Sequence, residues 1–76
     1  MKDWPAVIEQ CDKVLRKDSD NVKALYRKGV ALGKTKEFEE AITCLKKAVA
    51  LDATNVASKR ALRDVVQAKK AQQKQM

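Results

Sequence analysis

Apolar side chains recur at spacings of three and four residues near the start of the chain. The positions that follow this spacing are Trp4, Val7, Ile8, Cys11, Val14 and Leu15. This spacing places them along one face of an α-helix, and we predict a helix over residues 4–17. The helix should end in the segment 18–21, Asp-Ser-Asp-Asn, because these side chains favour turns and helix N-caps.

A second helix is predicted from about Val22 to Lys34. Its apolar positions are Val22, Leu25, Tyr26, Val30 and Leu32. Gly29 lies in the middle of this segment, where glycine costs about 1 kcal/mol relative to alanine. We therefore expect another helix to approach closely at Gly29.

Two further helices follow. The third, about Glu37 to Leu51, has apolar residues at Phe38, Ala41, Ile42, Leu45, Ala48 and Val49. Its first turn is acidic, which complements the helix dipole. After the segment 52–55, Asp-Ala-Thr-Asn, the last helix has apolar residues at Val56, Ala61, Leu62, Val65 and Val66. The apolar periodicity fades beyond Val66, and we expect the helix to fray there.

The sequence repeats itself at a constant offset of 34 residues. The pairs that are identical at this offset are Ile8 and Ile42, Lys13 and Lys47, Asp18 and Asp52, Asn21 and Asn55, and Val22 and Val56. The offset matches the period of about 34 residues of the tetratricopeptide unit, a helix-turn-helix that buries its faces by stacking on further copies. The predicted fold class is all-α: a tetratricopeptide-repeat helical solenoid fragment of about four helices.

The chain resembles the tetratricopeptide family through residues at the signature spacing. These are Gly29, Phe38, Ala41, Ala48 and Asp52, whereas Leu45 replaces a usual aromatic and Ala53 a usual proline. More narrowly, WPAVIEQCDKVL followed by NVKALYRKGVAL resembles the last two repeats of the large immunophilins, the tacrolimus-binding peptidyl-prolyl isomerases.

The resemblance to the immunophilins implies how the chain is divided. Residues 1–21 would form the second helix of a truncated repeat, residues 22–55 a complete repeat, and residues 56–76 a capping helix with a basic tail. The family's isomerase domain is a β structure lined by aromatic residues, for which a chain with one Trp, one Tyr and one Phe has no room. The apolar face of residues 4–15 would lack its preceding helix, so we expect it to be exposed and to favour homodimers.

The formal net charge is +7, and the basic residues of one segment are suited to an acidic peptide. Most of the excess lies in the tail, but residues 21–36 also hold five basic residues and no acid. In a tetratricopeptide solenoid the first helix of each repeat lines the concave groove. The residues predicted to face the groove, and so to bind a peptide, are Lys23, Tyr26, Arg27, Val30 and Lys34.

Lys23 and Arg27 are spaced i, i+4, so both can bind neighbouring carboxylates. A solvated basic face is the alternative interpretation. The two positions resemble the family's carboxylate clamp, which holds the terminal Glu-Glu-Val-Asp of heat-shock protein 90 or 70 type chaperones. The resemblance implies a co-chaperone with a partial clamp, since the other clamp residues lie on upstream helices.

The sequence is also compatible with other binding partners. A basic helix with apolar residues on one side also resembles a calmodulin target, so residues 56–76 are a candidate calmodulin-binding segment as well as a solenoid cap. Nucleic acid is a weaker alternative, because no aromatic platform or recognition motif accompanies the basic residues. A fragment that chiefly self-associates is the structural alternative.

Catalysis and cofactors are not expected. The chain has no histidine, no phosphate-binding loop and no nucleophile motif, which argues against an enzyme. Cys11 and Cys44 are interpreted as small buried hydrophobes rather than a zinc or redox site. No apolar run of about 20 residues and no secretory leader is apparent. We therefore expect a cytoplasmic fragment, although its parent protein could be anchored in a membrane through a segment outside this fragment.

Overall fold

The computed structural model describes residues 3–73, and four α-helices account for most of them. The helices are α1 (Trp4–Lys17), α2 (Val22–Lys34), α3 (Phe38–Leu51) and α4 (Val56–Gln73). No strand occurs in this range, and the predicted all-α class is confirmed. The tail residue Lys74 lies outside the described residues.

Helix α4 continues beyond Val66, the last residue of its apolar pattern, to Gln73. The expectation that its end frays stays a prediction, since the end of the chain lies outside the described residues. Good helix formers such as alanine, lysine and glutamine fill these last turns, and they sustain a helix without apolar periodicity. Lys69 also ties this part of α4 to α3 through an ion pair with Glu39 at 3.8 Å.

The two turns that the sequence repeat relates to each other have the same geometry. Asp18 ends α1 with φ −141° and ψ 84°, and Asp52 ends α3 with φ −142° and ψ 84°. Asn21 and Asn55 then cap the next helices, each accepting a hydrogen bond from the backbone N–H three residues on, at 3.0 and 3.1 Å. These bonds satisfy amide groups that a helix start leaves without partners. The sequence repeat is therefore a structural repeat.

A different turn joins α2 to α3. The Glu37 N–H donates to the Leu32 carbonyl at 2.9 Å, and the Lys36 N–H donates to the Gly33 carbonyl at 3.2 Å. This pair of bonds is a Schellman motif. Lys36 has a positive φ of 68°, in the left-handed region that favours glycine. Helix α3 begins at Phe38, one residue later than predicted.

The core lies between α2, α3 and α4. Its buried residues are Leu25, Leu32, Ala41, Cys44, Leu45, Ala48 and Val65. Gly29 is the point of closest approach: a Cβ atom placed there would lie 2.5 Å from Leu45 Cγ. The close approach predicted at Gly29 is confirmed.

Helix α1 packs against α2 and buries more of its apolar face than the sequence predicts. Cys11 is buried, Ile8 and Leu15 pack against the core, and Trp4 is half-buried. Only Val14, at 43% exposure, remains an exposed large hydrophobic residue on α1. The expectation that the whole face of residues 4–15 is exposed is wrong, because α2 covers its centre.

Candidate peptide-binding groove

A groove of about 610 Å³ lies between α2 and α4. Helix α4 packs against both α3 and α2, which positions its exposed side beside the exposed side of α2. Helix α2 contributes Tyr26, Val30 and Lys34 to the lining, and α3 contributes Phe38. The groove is therefore bounded by α2, the first helix of the complete repeat, and by α4, the helix that follows this repeat.

The structure separates the five residues predicted to bind a peptide into two groups. Tyr26, Val30 and Lys34 line the groove, whereas Lys23 and Arg27 do not belong to its lining. At 100° per residue, however, all five fall on one face of α2, and Lys23 and Arg27 are exposed there. Their role in binding stays a prediction.

The other wall of the groove was missed by the sequence interpretation. The residues of α4 that stand at the five equivalent positions of the internal repeat are Ala57, Arg60, Ala61, Asp64 and Ala68. All five line the groove. The internal repeat itself was the signal that could have located them, because equivalent positions in stacked repeats face the same side.

The groove and its edge are predominantly cationic. Lys34 and Arg60 line it, while Lys23 and Arg27 are exposed on the same helical face of α2, and none of these four forms an ion pair within residues 3–73. Asp64 is the one acidic side chain in the lining. Since unneutralised cations attract anions most strongly where few acids compete, this surface favours an acidic ligand.

Lys28, in the same basic segment of the sequence, does not contribute to the groove. Its Nζ lies 2.6 Å from Asp12 Oδ1 of α1 and 3.9 Å from Glu40 Oε2 of α3, and its side chain is 16% exposed. The hydrogen bond to Asp12 raises the pKa of Lys28 above its ordinary value, despite the opposing effect of burial. This lysine joins three helices and has a structural role.

The two cysteines are free and buried, and both lie away from the groove lining. Burial raises the pKa of both the Cys11 and the Cys44 thiol, which lowers the fraction of reactive thiolate. Within residues 3–73, no three His, Cys, Asp or Glu side chains are grouped to hold a metal ion. Nor is any helix in this range long and apolar enough to cross a membrane.

Comparison with known proteins identifies a tetratricopeptide repeat at residues 22–55. These residues comprise α2, α3 and the Asp52–Asn55 turn. Repeats of this type stack into solenoids whose concave surfaces bind other proteins. The chain therefore contains a protein-interaction repeat.

Several longer proteins contain a segment that is similar to this chain. The chain is 41% identical over 58 residues to "FK506-binding protein-like" of Rattus norvegicus and of Homo sapiens, an alignment that covers 76% of the chain and 17% of each relative. It is 32% identical over 62 residues to "Sperm-associated antigen 1" of Mus musculus, covering 82% of the chain and 7% of that protein. The chain thus spans less than a fifth of these relatives. No solved structure matches it.

Proposed function

We propose that this chain binds acidic C-terminal peptides of heat-shock chaperones through a partial carboxylate clamp formed by Lys23 and Arg27. The proposal includes a cytoplasmic, non-catalytic role as the co-chaperone region of an immunophilin-like protein. Its main support is a pair of exposed cations that share one face of α2 with Tyr26 and Val30 by helical spacing and that form no ion pair within the described residues.

The contrast with Lys28 supports a binding role for this pair. Lys28 is held by carboxylates of α1 and α3, so its charge is already compensated. Lys23 and Arg27 form no ion pair within residues 3–73. They lie one helical turn apart, where two carboxylate groups of one ligand can be bound together. The relatives named FK506-binding protein-like agree with the immunophilin part of the proposal.

The expected affinity is low. Hydrogen bonds to charged groups contribute about 1.5 to 3 kcal/mol each, whereas millimolar binding already requires about 4.1 kcal/mol. Two cations therefore support a dissociation constant of roughly millimolar to high micromolar. Additional clamp residues on preceding helices of a longer protein would strengthen it.

Titration with a peptide that ends in Glu-Glu-Val-Asp tests the proposal, with chemical shifts or calorimetry as the readout. We expect Lys23→Ala and Arg27→Ala each to weaken binding about five-fold or more, and a C-terminal amide on the peptide to weaken it similarly. Lys46→Ala is the matched control, since Lys46 is exposed on α3 and forms no ion pair among the described residues. Micromolar binding that both clamp substitutions leave unchanged contradicts the proposal.

Self-association through α1 is a second candidate function. Val14 is 43% exposed, and the neighbouring apolar residues Trp4 and Val7 are half-buried. This patch is smaller than the sequence predicts, so we expect at most weak dimers. Sedimentation of the wild type and of Val14→Ser measures this directly, because only a dimer formed through this face dissociates on the substitution.

Calmodulin binding through residues 56–76 is less favoured by the packing. Val65 is 7% exposed within the core, and Leu62 packs against it. Since a calmodulin target presents such residues to its partner, α4 would first have to detach. Calcium-dependent binding to calmodulin, or its absence, decides this alternative.

A further inference from the structure

Helix α4 has a second charged surface, on the side that is turned away from the core. Ser58 and Val65 mark the buried side of this helix, at 0% and 7% exposure. At 100° per residue, Lys59, Arg63 and Lys70 lie within about 40° of one another on a different side. All three are exposed, and none belongs to the lining of the groove between α2 and α4. We call these three residues the outer face of α4.

The outer face differs from the side of α2 that is equivalent to it in the internal repeat. Lys59 and Arg63 stand at the repeat positions of Leu25 and Gly29. Leu25 is buried in the core, and Gly29 is in close contact with Leu45 of α3. On α4, long cationic side chains replace the apolar residue and the glycine on which this helix packing depends. The outer face is therefore suited to a charged partner.

The positive charge of the outer face is not compensated by acidic side chains. Arg60, which follows Lys59 and lines the neighbouring groove, adds a fourth exposed cation. None of these four cations forms an ion pair within residues 3–73, whereas Lys69 of the same helix pairs with Glu39 at 3.8 Å. Such a concentration of one charge creates a potential that attracts anions.

The geometry of the outer face favours a flat ligand. The rise of about 1.5 Å per residue separates Lys59 from Lys70 by about 16 Å along the helix axis. Cations on one side of a helix can contact a flat surface at the same time, and clusters of this kind bind anionic lipid headgroups. Val56, in the first turn of α4, is 65% exposed and lies on the same side of the helix as Arg63. An apolar side chain placed there can enter the boundary between headgroups and acyl chains.

We infer that the outer face of α4 binds the surface of a membrane that contains anionic phospholipids, with its three cations on the headgroups and Val56 at the interface. Nucleic acid also offers phosphate groups. However, the sequence of α4 contains no aromatic residue on which bases could stack. The inference goes beyond the proposed function and does not depend on the peptide clamp of α2.

Cosedimentation of the full chain with lipid vesicles tests this inference. One set of vesicles is an equimolar mixture of phosphatidylserine and phosphatidylcholine, and the other is phosphatidylcholine alone. Each basic residue near an anionic surface contributes about five-fold to the affinity at low salt. We therefore expect four cations to give at least about a hundred-fold tighter binding to the mixed vesicles. This preference should be lost at about 1 M salt, where the screening length falls to about 3 Å.

A pair of double substitutions tests whether the outer face makes the contact. We expect Lys59→Ala/Arg63→Ala to weaken binding to the mixed vesicles about 20-fold or more. Lys13→Ala/Arg16→Ala is the matched control, because it removes the same charges from exposed positions of α1, and it should have an effect of less than about three-fold. Circular dichroism establishes that both variants are folded.

Several outcomes would overturn the inference. Equal binding to both kinds of vesicle excludes an anionic membrane as the partner. Equal effects of the two double substitutions would mean that net charge, and not the outer face, attracts the protein. Tighter binding to single-stranded poly(U) RNA than to the mixed vesicles at the same salt concentration, with the same dependence on Lys59 and Arg63, would assign the face to nucleic acid. A Val56→Ser variant that binds like the wild type overturns the role of Val56.

The membrane contact and the peptide clamp can be distinguished. Lys23→Ala/Arg27→Ala should change vesicle binding no more than the α1 control does, because both residues lie on α2. Lys59→Ala/Arg63→Ala should in turn leave binding of the acidic peptide nearly unchanged. Failure of one interaction therefore leaves the test of the other intact.

Discussion

Gly29 of α2 and Leu45 of α3 are in such close contact that a Cβ atom at residue 29 would lie 2.5 Å from Leu45 Cγ and 2.7 Å from Leu45 Cδ2. Leu45 is fully buried at 0% exposure, so it cannot move into solvent to make room. The glycine is thus required by packing between the two helices of the repeat, and this requirement outweighs its poor helix propensity.

We expect Gly29→Ala to lower the free energy of unfolding by about 1 to 3 kcal/mol, the usual effect of overpacking a core, although alanine favours helix by about 1 kcal/mol. Urea denaturation measures the change. Gly33→Ala is the comparison, because its Cβ atom would lie 3.0 Å from the single methyl group Val65 Cγ2, and we expect a smaller loss. A Gly29→Ala variant more stable than the wild type contradicts the close approach.

The ion pair of Lys28 with Asp12 should contribute measurably to stability. The Nζ to Oδ1 distance is 2.6 Å, and the Lys28 side chain is 16% exposed. We expect Lys28→Met to lower the free energy of unfolding by about 1.5 kcal/mol at neutral pH, the lower end for a hydrogen bond between charged groups. Lys23→Met is the control and should change stability little, because Lys23 is exposed and forms no ion pair among the described residues.

The same ion pair predicts a pH dependence. The pKa of Lys28 is raised in the folded state above its ordinary value of 10.5, so the folded protein holds this proton more tightly. The stabilisation is fully present below pH 10.5 and is lost as the pH rises through the folded-state pKa. The stability difference between wild type and Lys28→Met should therefore shrink above that pH. A difference that is constant with pH would indicate that packing, not charge, is responsible.

Replacement of Lys36 by glycine should stabilise the turn between α2 and α3. Lys36 adopts a φ of 68°, which costs a non-glycine residue roughly 1 kcal/mol. We expect Lys36→Gly to raise the free energy of unfolding by about 0.5 to 1 kcal/mol. Lys34→Gly makes the same chemical change within helix α2 and should lower stability by a similar amount. If both substitutions destabilise equally, the left-handed conformation is not strained.

Ser58 offers a test of polar burial in α4. Its side chain is 0% exposed, and its Oγ forms no hydrogen bond among the described residues. Because a buried hydroxyl without a partner is unfavourable, we expect Ser58→Ala to leave stability unchanged or to raise it by up to about 1 kcal/mol. Asn55→Ala, which removes the cap bond to the Ser58 N–H, should instead cost about 1 kcal/mol. Thermal denaturation distinguishes the two effects.

The positions of the helices could be predicted from the sequence because their signals are local. Apolar spacing located each helix, and the polar segments that end in Asn21 and Asn55 located the turns. Both asparagines cap helices in the structure, since an N-cap depends only on residues within one turn. The extent of α4 beyond Val66 could not be predicted from apolar spacing, because its last turns consist of good helix formers such as alanine, lysine and glutamine, which sustain a helix without an apolar pattern.

The candidate groove could be predicted only in part. The helical spacing of α2 placed Tyr26, Val30 and Lys34 on one face, and all three line the groove. The spacing within α2 does not predict which residues form the opposite wall of the groove. Arg60 and the alanines of α4 line the groove because α4 packs against both α2 and α3. The spacing of residues within one helix does not predict this packing.

The sequence by itself determined the all-α class, the internal repeat and the tetratricopeptide unit at residues 22–55, because these depend on periodicity and on caps within a few residues. Only the tertiary structure decided which charges are available to a ligand. Lys23 and Lys28 belong to the same basic segment, yet Lys28 is bound by carboxylates from α1 and α3 and Lys23 is not. The physical reason is that an ion pair forms only where helix packing brings two side chains within hydrogen-bonding distance. Local patterns in the sequence do not predict which side chains of different helices come that close.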